Sequence, residues 1–106
     1  MRLVILETPY RGDIKKHLDY LRLCLKDSLS KGEAPFASHG VYTTVLDDND
    51  IHERYQGIEA GLAWATRADA TVVYTDYGIS EGMIHGINHA TLCNRPVEYR
   101  RLYESA

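Results

Sequence analysis

The chain has little of what several classes of protein require. Its 106 residues include only two cysteines, and no apolar run approaches the ~20 residues of a membrane span. The opening stretch, MRLVILETPY, carries one positive charge and a short apolar run that ends at Glu7. That run is too short for a signal peptide and reads as a buried strand. Cys24 and Cys93 lie far apart with no motif spacing, so both are expected as reduced core residues rather than as a disulfide or metal pair. A cytoplasmic chain is the resulting expectation, with no membrane partner. Positive charge is scarce as well: 12 Lys and Arg against 15 Asp and Glu give a net charge of -3. The basic residues are scattered, which excludes the basic stripe of a duplex nucleic-acid binder. His85 and His89 are one helical turn apart, but no third ligand lies near them, so neither a metal nor another cofactor is expected.

What is present is the pattern of one small α/β domain. The apolar run RLVIL, residues 2–6, suits a central strand buried on both faces. Asp13 is a candidate N-cap for a helix running from Ile14 to about Ser30. Its apolar stripe is Ile14, Leu18, Leu21, Leu25 and Leu29, and Lys31-Gly32 ends it. Residues 35–38 have some strand character, and VYTTVL (residues 41–46) reads either as a strand or as the approach to a helix. DDND then caps a second helix from Ile51 to about Arg67, with Tyr55, Ile58, Leu62 and Ala65 on one face. Gly57 and Gly61 inside it each cost about 1 kcal/mol relative to alanine. They therefore imply close packing, against either the sheet or another subunit. ATVVYTD (residues 70–76) is the clearest strand, SEGMIHGINHATLC is a third helix, and RPVEYRRL is a last strand. Alternating strands and helices predict a flavodoxin-like, or Rossmann-like, three-layer sandwich. Its sheet should be mostly parallel, with four or five strands. A chain this short buries only about two-thirds of its unfolded surface, which favours self-association into a dimer or larger assembly.

Ligands of open parallel sheets sit at the carboxyl ends of the strands. Three polar loops are placed there. ETPYRGD offers Tyr10, Arg11 and Gly12, a turn with an arginine that can receive phosphate. ASHGVY and LDDND offer His39 in a loop of small residues, and Asp47 and Asp48 for a ribose or a cation, or as plain caps. Arg54 is placed to pair with either aspartate. TDYGISEG offers Asp76 to orient a hydroxyl, Gly78 and Gly82 for close backbone approach, and Ser80 just before a helix N-terminus that can hold phosphate. Gly78–Gly82 also spells GxSxG, but the chain is too short for the hydrolase fold that uses that elbow. Tyr10, Tyr42, Tyr74 and Tyr77 stand near strand ends, where a ring can stack on a base.

Three stretches, LETPYRGD, ASHG and DYGISEGMIHGINHA, together resemble the nucleoside 2-deoxyribosyltransferase-like superfamily, which includes the deoxynucleoside monophosphate N-glycosidases. The longer pattern from LDD through ERYQGIEAGLAWATRADATVVYTDYGISEGM to RPVEYR is more similar still to a small family found often in phages. The resemblance spans residues 1–106 as a single domain. It implies a nucleotide or nucleotide-derived ligand, a neighbouring subunit that helps close the site, and ligand-facing positions that add Pro9 and Met83 to those named above. It also exposes a departure. Members that cut the glycosidic bond carry a glutamate in G-x-x-x-E-x-x-x-A on the helix after the turn. Here that frame runs from Gly82 to Ala90, and the glutamate position is Gly86. Three expectations follow. The chain is a binder that holds a nucleotide-derived molecule, in a phage setting by sequestering a nucleotide signal. Or it is an N-glycosidase or deoxyribosyltransferase with its carboxylate relocated to Glu81 or Asp76. Or it is an interaction module with a vestigial pocket.

Overall fold

The computed structural model describes residues 1–103. It has an α/β fold whose sheet is four-stranded, entirely parallel and ordered β2-β1-β3-β4. In chain order the elements are β1 (Arg2–Glu7), α1 (Ile14–Ser30), β2 (Glu33–Phe36), the short α2 (Ser38–Val41), a 3-10 turn at Tyr42–Thr44, α3 (Ile51–Ala65), β3 (Ala70–Tyr74), α4 (Glu81–Leu92) and β4 (Val97–Arg100). β1 and β3 are the inner strands, which explains their unbroken apolar runs; all five residues of β3 are buried. Right-handed crossovers put α1 on one face and α3 and α4 on the other. The result is the flavodoxin-like three-layer arrangement. No helix among the described residues is long and apolar enough to cross a membrane.

Strand alternation divides the core. Val4, Leu6, Val72 and Tyr74 cluster with Tyr20, Leu21 and Cys24 of α1. Ile5, Glu7, Thr71 and Val73 point the other way, toward α3 and α4. Asp13 caps α1, its carboxylate accepting from the Lys16 N–H at 3.2 Å, and Gly32 closes it with φ +77°. The leucine stripe of α1 faces the core along its middle, with Leu21 buried and Leu18 and Leu25 packed against the cluster, but not at its two ends. Ile14 and Leu29 are exposed, while Tyr20, Leu21, Cys24 and Ser28 are buried. Polar anchoring adds to that face: the Tyr20 hydroxyl donates to Asp76, and the Ser28 hydroxyl donates to Glu33 at 2.8 Å. Glu33 also receives a two-pronged ion pair from Arg100, with contacts of 2.8 and 2.7 Å.

VYTTVL is not a strand, so the sheet stops at four. The Thr43 and Thr44 hydroxyls donate to the carbonyls of His39 and Val41, and Tyr42 O receives the N–H groups of Val45 and Leu46. These local bonds compete successfully with a sheet ladder. The two glycines of α3 serve packing within the chain. A Cβ on Gly61 would lie 2.5 Å from the Ser38 hydroxyl oxygen of α2, and one on Gly57 would meet Leu46 at 3.4 Å. One cysteine departs from expectation. Cys24 is buried, but Cys93 is exposed because it caps the C-terminus of α4 beyond the last buried turn.

Candidate ligand-binding site

The strand order reverses between β1 and β3, and a cavity of about 260 Å³ opens beside their carboxyl ends, on the α3/α4 face. Four segments build it: the β1–α1 loop, α2, the front of α3 with its preceding turn, and the N-terminus of α4. It takes in eight of the residues singled out from the sequence: Tyr10, Arg11, His39, Asp48, Arg54, Ser80, Gly82 and Met83. Glu81 also lines it, as an exposed residue of the first turn of α4.

Its lining sets Arg11 and Arg54 among the acidic Glu7, Asp48 and Glu81, over a polar floor. Arg11 Nε and Arg54 Nε lie 3.1 and 3.8 Å from opposite oxygens of Asp48. Asp48 therefore positions two guanidinium groups on one wall. Ser80 caps α4, its hydroxyl accepting from the Met83 N–H at 3.4 Å, while the Ser80 N–H donates to the Met83 sulfur at 3.3 Å. The N–H groups of Glu81 and Gly82 have no hydrogen-bond acceptor among the described residues. They add the positive end of the helix dipole to the same wall. A Cβ on Gly82 would meet only ordinary contacts, the nearest being Arg54 at 3.9 Å, so its lack of a side chain keeps the approach to these amides open. Across the cavity, His39 Nε2 sits 2.5 Å from the Thr8 hydroxyl oxygen. Burial pushes His39 down to about 4, so its imidazole is neutral at physiological pH.

Sequence reasoning missed Glu7, the last residue of β1. Its side chain reaches under α4: a Cβ on Gly86 would come within 2.5 Å of the Glu7 Cδ. The carboxyl therefore occupies the space a side chain at position 86 would need. Burial pushes Glu7 up to about 8, against a smaller opposing pull from Arg95. Arg95 makes no ion pair with it among the described residues, since its nitrogens contact Thr71 at 2.9 Å, the Ala65 carbonyl at 2.9 Å and His89 at 3.0 Å. The available signal was position: a carboxylate ends an inner strand of a parallel sheet, where the ligand crevice opens. Thr8, Ser38 and Ile58 were missed too. They carry no spacing signal and reach the cavity only through the tertiary fold.

Other sequence candidates lie outside the cavity lining. Asp76 faces α1, on the opposite side of the sheet, where it accepts from the Tyr20 hydroxyl and from the N–H groups of Leu102 and Tyr103 at 2.8 and 2.9 Å. These bonds outweigh its burial and hold its carboxyl below the usual carboxylate range. Asp76 therefore anchors the segment after β4. Pro9 is buried behind the loop, Gly12 and Gly78 supply left-handed turns at φ +93° and +80°, and Asp47 accepts from the Asn49 N–H. Of the four tyrosines, only Tyr10 lines the cavity. Tyr42 accepts from the Trp64 indole, the Tyr74 hydroxyl donates to Asp27, and Tyr77 stacks near Tyr20 under Lys16. His89 turns to Arg95 and His85 to the Tyr55 ring, and no group of three or more potential metal-binding side chains forms among the described residues.

Fold and site together define a flavodoxin-like domain with a cavity at its switch point. The chain belongs to the family described as Domain of unknown function (DUF7768), which matches residues 2–100. No curated protein matches it.

Proposed function

We propose that the cavity binds a nucleotide-derived small molecule, with its phosphate against Arg11, Arg54 and the N-terminus of α4. The observation that carries this reading is the convergence of two arginines and two open helix amides on one wall. The volume, about 260 Å³, lies just below the ~300–1,000 Å³ usual for small-molecule sites. A sugar phosphate fits that scale, with the base toward the rim near Tyr10. The resemblance of LETPYRGD and DYGISEGM to nucleotide-handling enzymes supports the same assignment. Neither sequence-based candidate for a relocated carboxylate favours cutting: Asp76 is spent across the sheet, and Glu81 sits exposed at the mouth. Holding the ligand, and in a phage setting sequestering it, is the use these residues support. Self-association belongs to the same proposal. The exposed Ile51 and Tyr55, one turn apart at the start of α3, give apolar surface that a second copy would cover.

The test is thermal unfolding with deoxynucleoside monophosphates, NAD, ADP-ribose and cyclic dinucleotides. A ligand at 100 times its Kd stabilises the fold by about 2.7 kcal/mol. For a domain this size that raises Tm by roughly 10–20 °C. Arg54→Ala should abolish the shift. No shift with any of these compounds, or a shift that persists in Arg54→Ala, refutes the reading.

A further inference from the structure

We propose that the floor of the cavity reads the hydroxyl groups of a phosphorylated pentose, with Ser38 and the Thr8–His39 pair as the specificity-determining groups that favour a ribosyl over a 2-deoxyribosyl ligand. The inference rests on the phosphate reading of the cavity and names what lies next to that phosphate. Three observations carry it. Among the described residues every fully buried side-chain nitrogen or oxygen has a hydrogen-bond partner, whereas the Ser38 hydroxyl has none, so Ser38 Oγ is open to the space it lines. Gly61 leaves that hydroxyl its place between α2 and α3, since a Cβ there would lie 2.5 Å from Ser38 Oγ. And Thr8 Oγ, which shares the lining, lies 2.5 Å from His39 Nε2. Whichever of the two donates, the Thr8 hydroxyl keeps at least one free lone pair.

The lining divides the work between two kinds of group. Arg11 and Arg54 contact Asp48 through Nε, which leaves the terminal nitrogens of each guanidinium for an oxyanion. Thr8, Ser38 and His39 carry no charge at neutral pH, because burial pushes the imidazole down to about 4. Ser38 also lines a narrower cleft of about 50 Å³ that continues the cavity past Ile58 and Gly82. That space has room for a group the size of a water molecule or a hydroxyl.

Neutral hydroxyls suit a ligand group that both donates and accepts. Phosphate only accepts, and the guanidinium wall draws it away from this floor. A 2-deoxyribosyl group offers one ring hydroxyl, at 3′, and a ribosyl group offers two adjacent ones. One ligand hydroxyl has a single proton to donate and cannot serve the acceptor sites of both Ser38 and Thr8, whereas two hydroxyls can. A site built to bond a ligand hydroxyl rejects the analogue that lacks it, because its own polar groups are then left unpaired.

The experiment is isothermal titration of the protein at neutral pH with ribose 5-phosphate, 2-deoxyribose 5-phosphate and orthophosphate. The two sugar phosphates differ in a single hydroxyl. Ribose 5-phosphate should bind about tenfold more tightly than its deoxy analogue, the scale of one or two hydrogen bonds. Ser38→Ala should shrink that preference to within about twofold and leave the orthophosphate Kd unchanged. Thr8→Val should shift the preference in the same direction, and it decides the matter if Ser38→Ala fails to fold. Equal binding of the two sugar phosphates by the wild type, or a preference for the deoxy compound, overturns the hydroxyl reading while orthophosphate binding keeps the phosphate wall. A ribose preference that both variants retain also overturns it, since the reading groups then lie elsewhere. No binding of any of the three compounds removes the phosphate reading and this inference together.

Discussion

Replacing Glu7 with glutamine tests the state of its carboxyl without any ligand. The folded-state carboxyl sits at about 8, against an ordinary value of 4.5 in the unfolded chain. Between pH 5 and 7 the native protein therefore holds one proton that the unfolded chain has released. Stability then falls as pH rises, by about 1.36 kcal/mol per unit. Two units amount to about 3 kcal/mol, or roughly 10–20 °C in Tm for a domain of this size. His39 acts in the opposite sense over part of the same window. Its imidazole is pushed down to about 4, so its contribution is present above about 6.5 and is lost as pH falls toward 4. The wild-type profile alone mixes the two effects. The difference between wild type and Glu7→Gln cancels the His39 part and isolates Glu7. Glutamine leaves a polar amide in the same place, whose cost does not vary with pH. The assay is urea unfolding of both proteins at pH 5, 6 and 7. The variant should gain about 3 kcal/mol on the wild type from pH 5 to 7. Two profiles that stay parallel across this window would refute a Glu7 carboxyl that keeps its proton in the folded protein.

The glycines of α3 should respond oppositely to alanine. Gly61→Ala drives a Cβ into Ser38 and should lose about 1–3 kcal/mol, whereas Gly57→Ala makes only a snug contact with Leu46 and should gain up to about 1 kcal/mol from helix propensity. Denaturant midpoints report both. Glu33→Gln should lose about 3–5 kcal/mol at neutral pH, because it leaves the Arg100 guanidinium without its buried partner. That loss should shrink as pH falls from 4.5 toward 2, since Arg100 holds the Glu33 carboxyl down to about 2 and the stabilisation disappears once it is protonated.

Local chemistry made most elements legible. Asp13, Asp50 and Ser80 each accept the N-terminal amide bonds that end-of-helix patterning predicts. The inner strands announce themselves because burial on both faces demands continuous apolar residues. What was not legible is rotation and reach. Leucine spacing found the core-facing middle of α1, Leu18, Leu21 and Leu25, but not the exposure of its ends at Ile14 and Leu29, nor the burial of Tyr20 and Ser28, whose hydroxyls bond distant partners. Asp76 reads as a site residue because it follows a strand at its carboxyl end. Its side is fixed by strand alternation, which sends it to α1 with Tyr74 and away from the cavity. Sequence order places a residue at an end of the sheet. It does not by itself choose the face.

The same limit explains why Glu7 and Gly86 did not read as a pair. They are 79 positions apart, and each alone has a bland meaning, a strand terminus and a helix glycine. Their significance is mutual. Gly86 is among the buried residues of α4, where glycine costs about 1 kcal/mol in helix propensity, and no left-handed backbone requires it there. Steric room for the Glu7 carboxyl is the reason for glycine that the packing supplies. Conversely, the Glu7 carboxyl fits beneath α4 because that glycine is there. Placing glutamate at position 86 in the Glu7 background should therefore crowd two carboxyl groups into one space and destabilise the fold, by sterics and, once both ionise, by repulsion. Gly86→Glu combined with Glu7→Ala should recover much of that loss, as measured by denaturant midpoint at pH 8. Equal stability of Gly86→Glu with and without Glu7→Ala would mean that the two positions do not share a site.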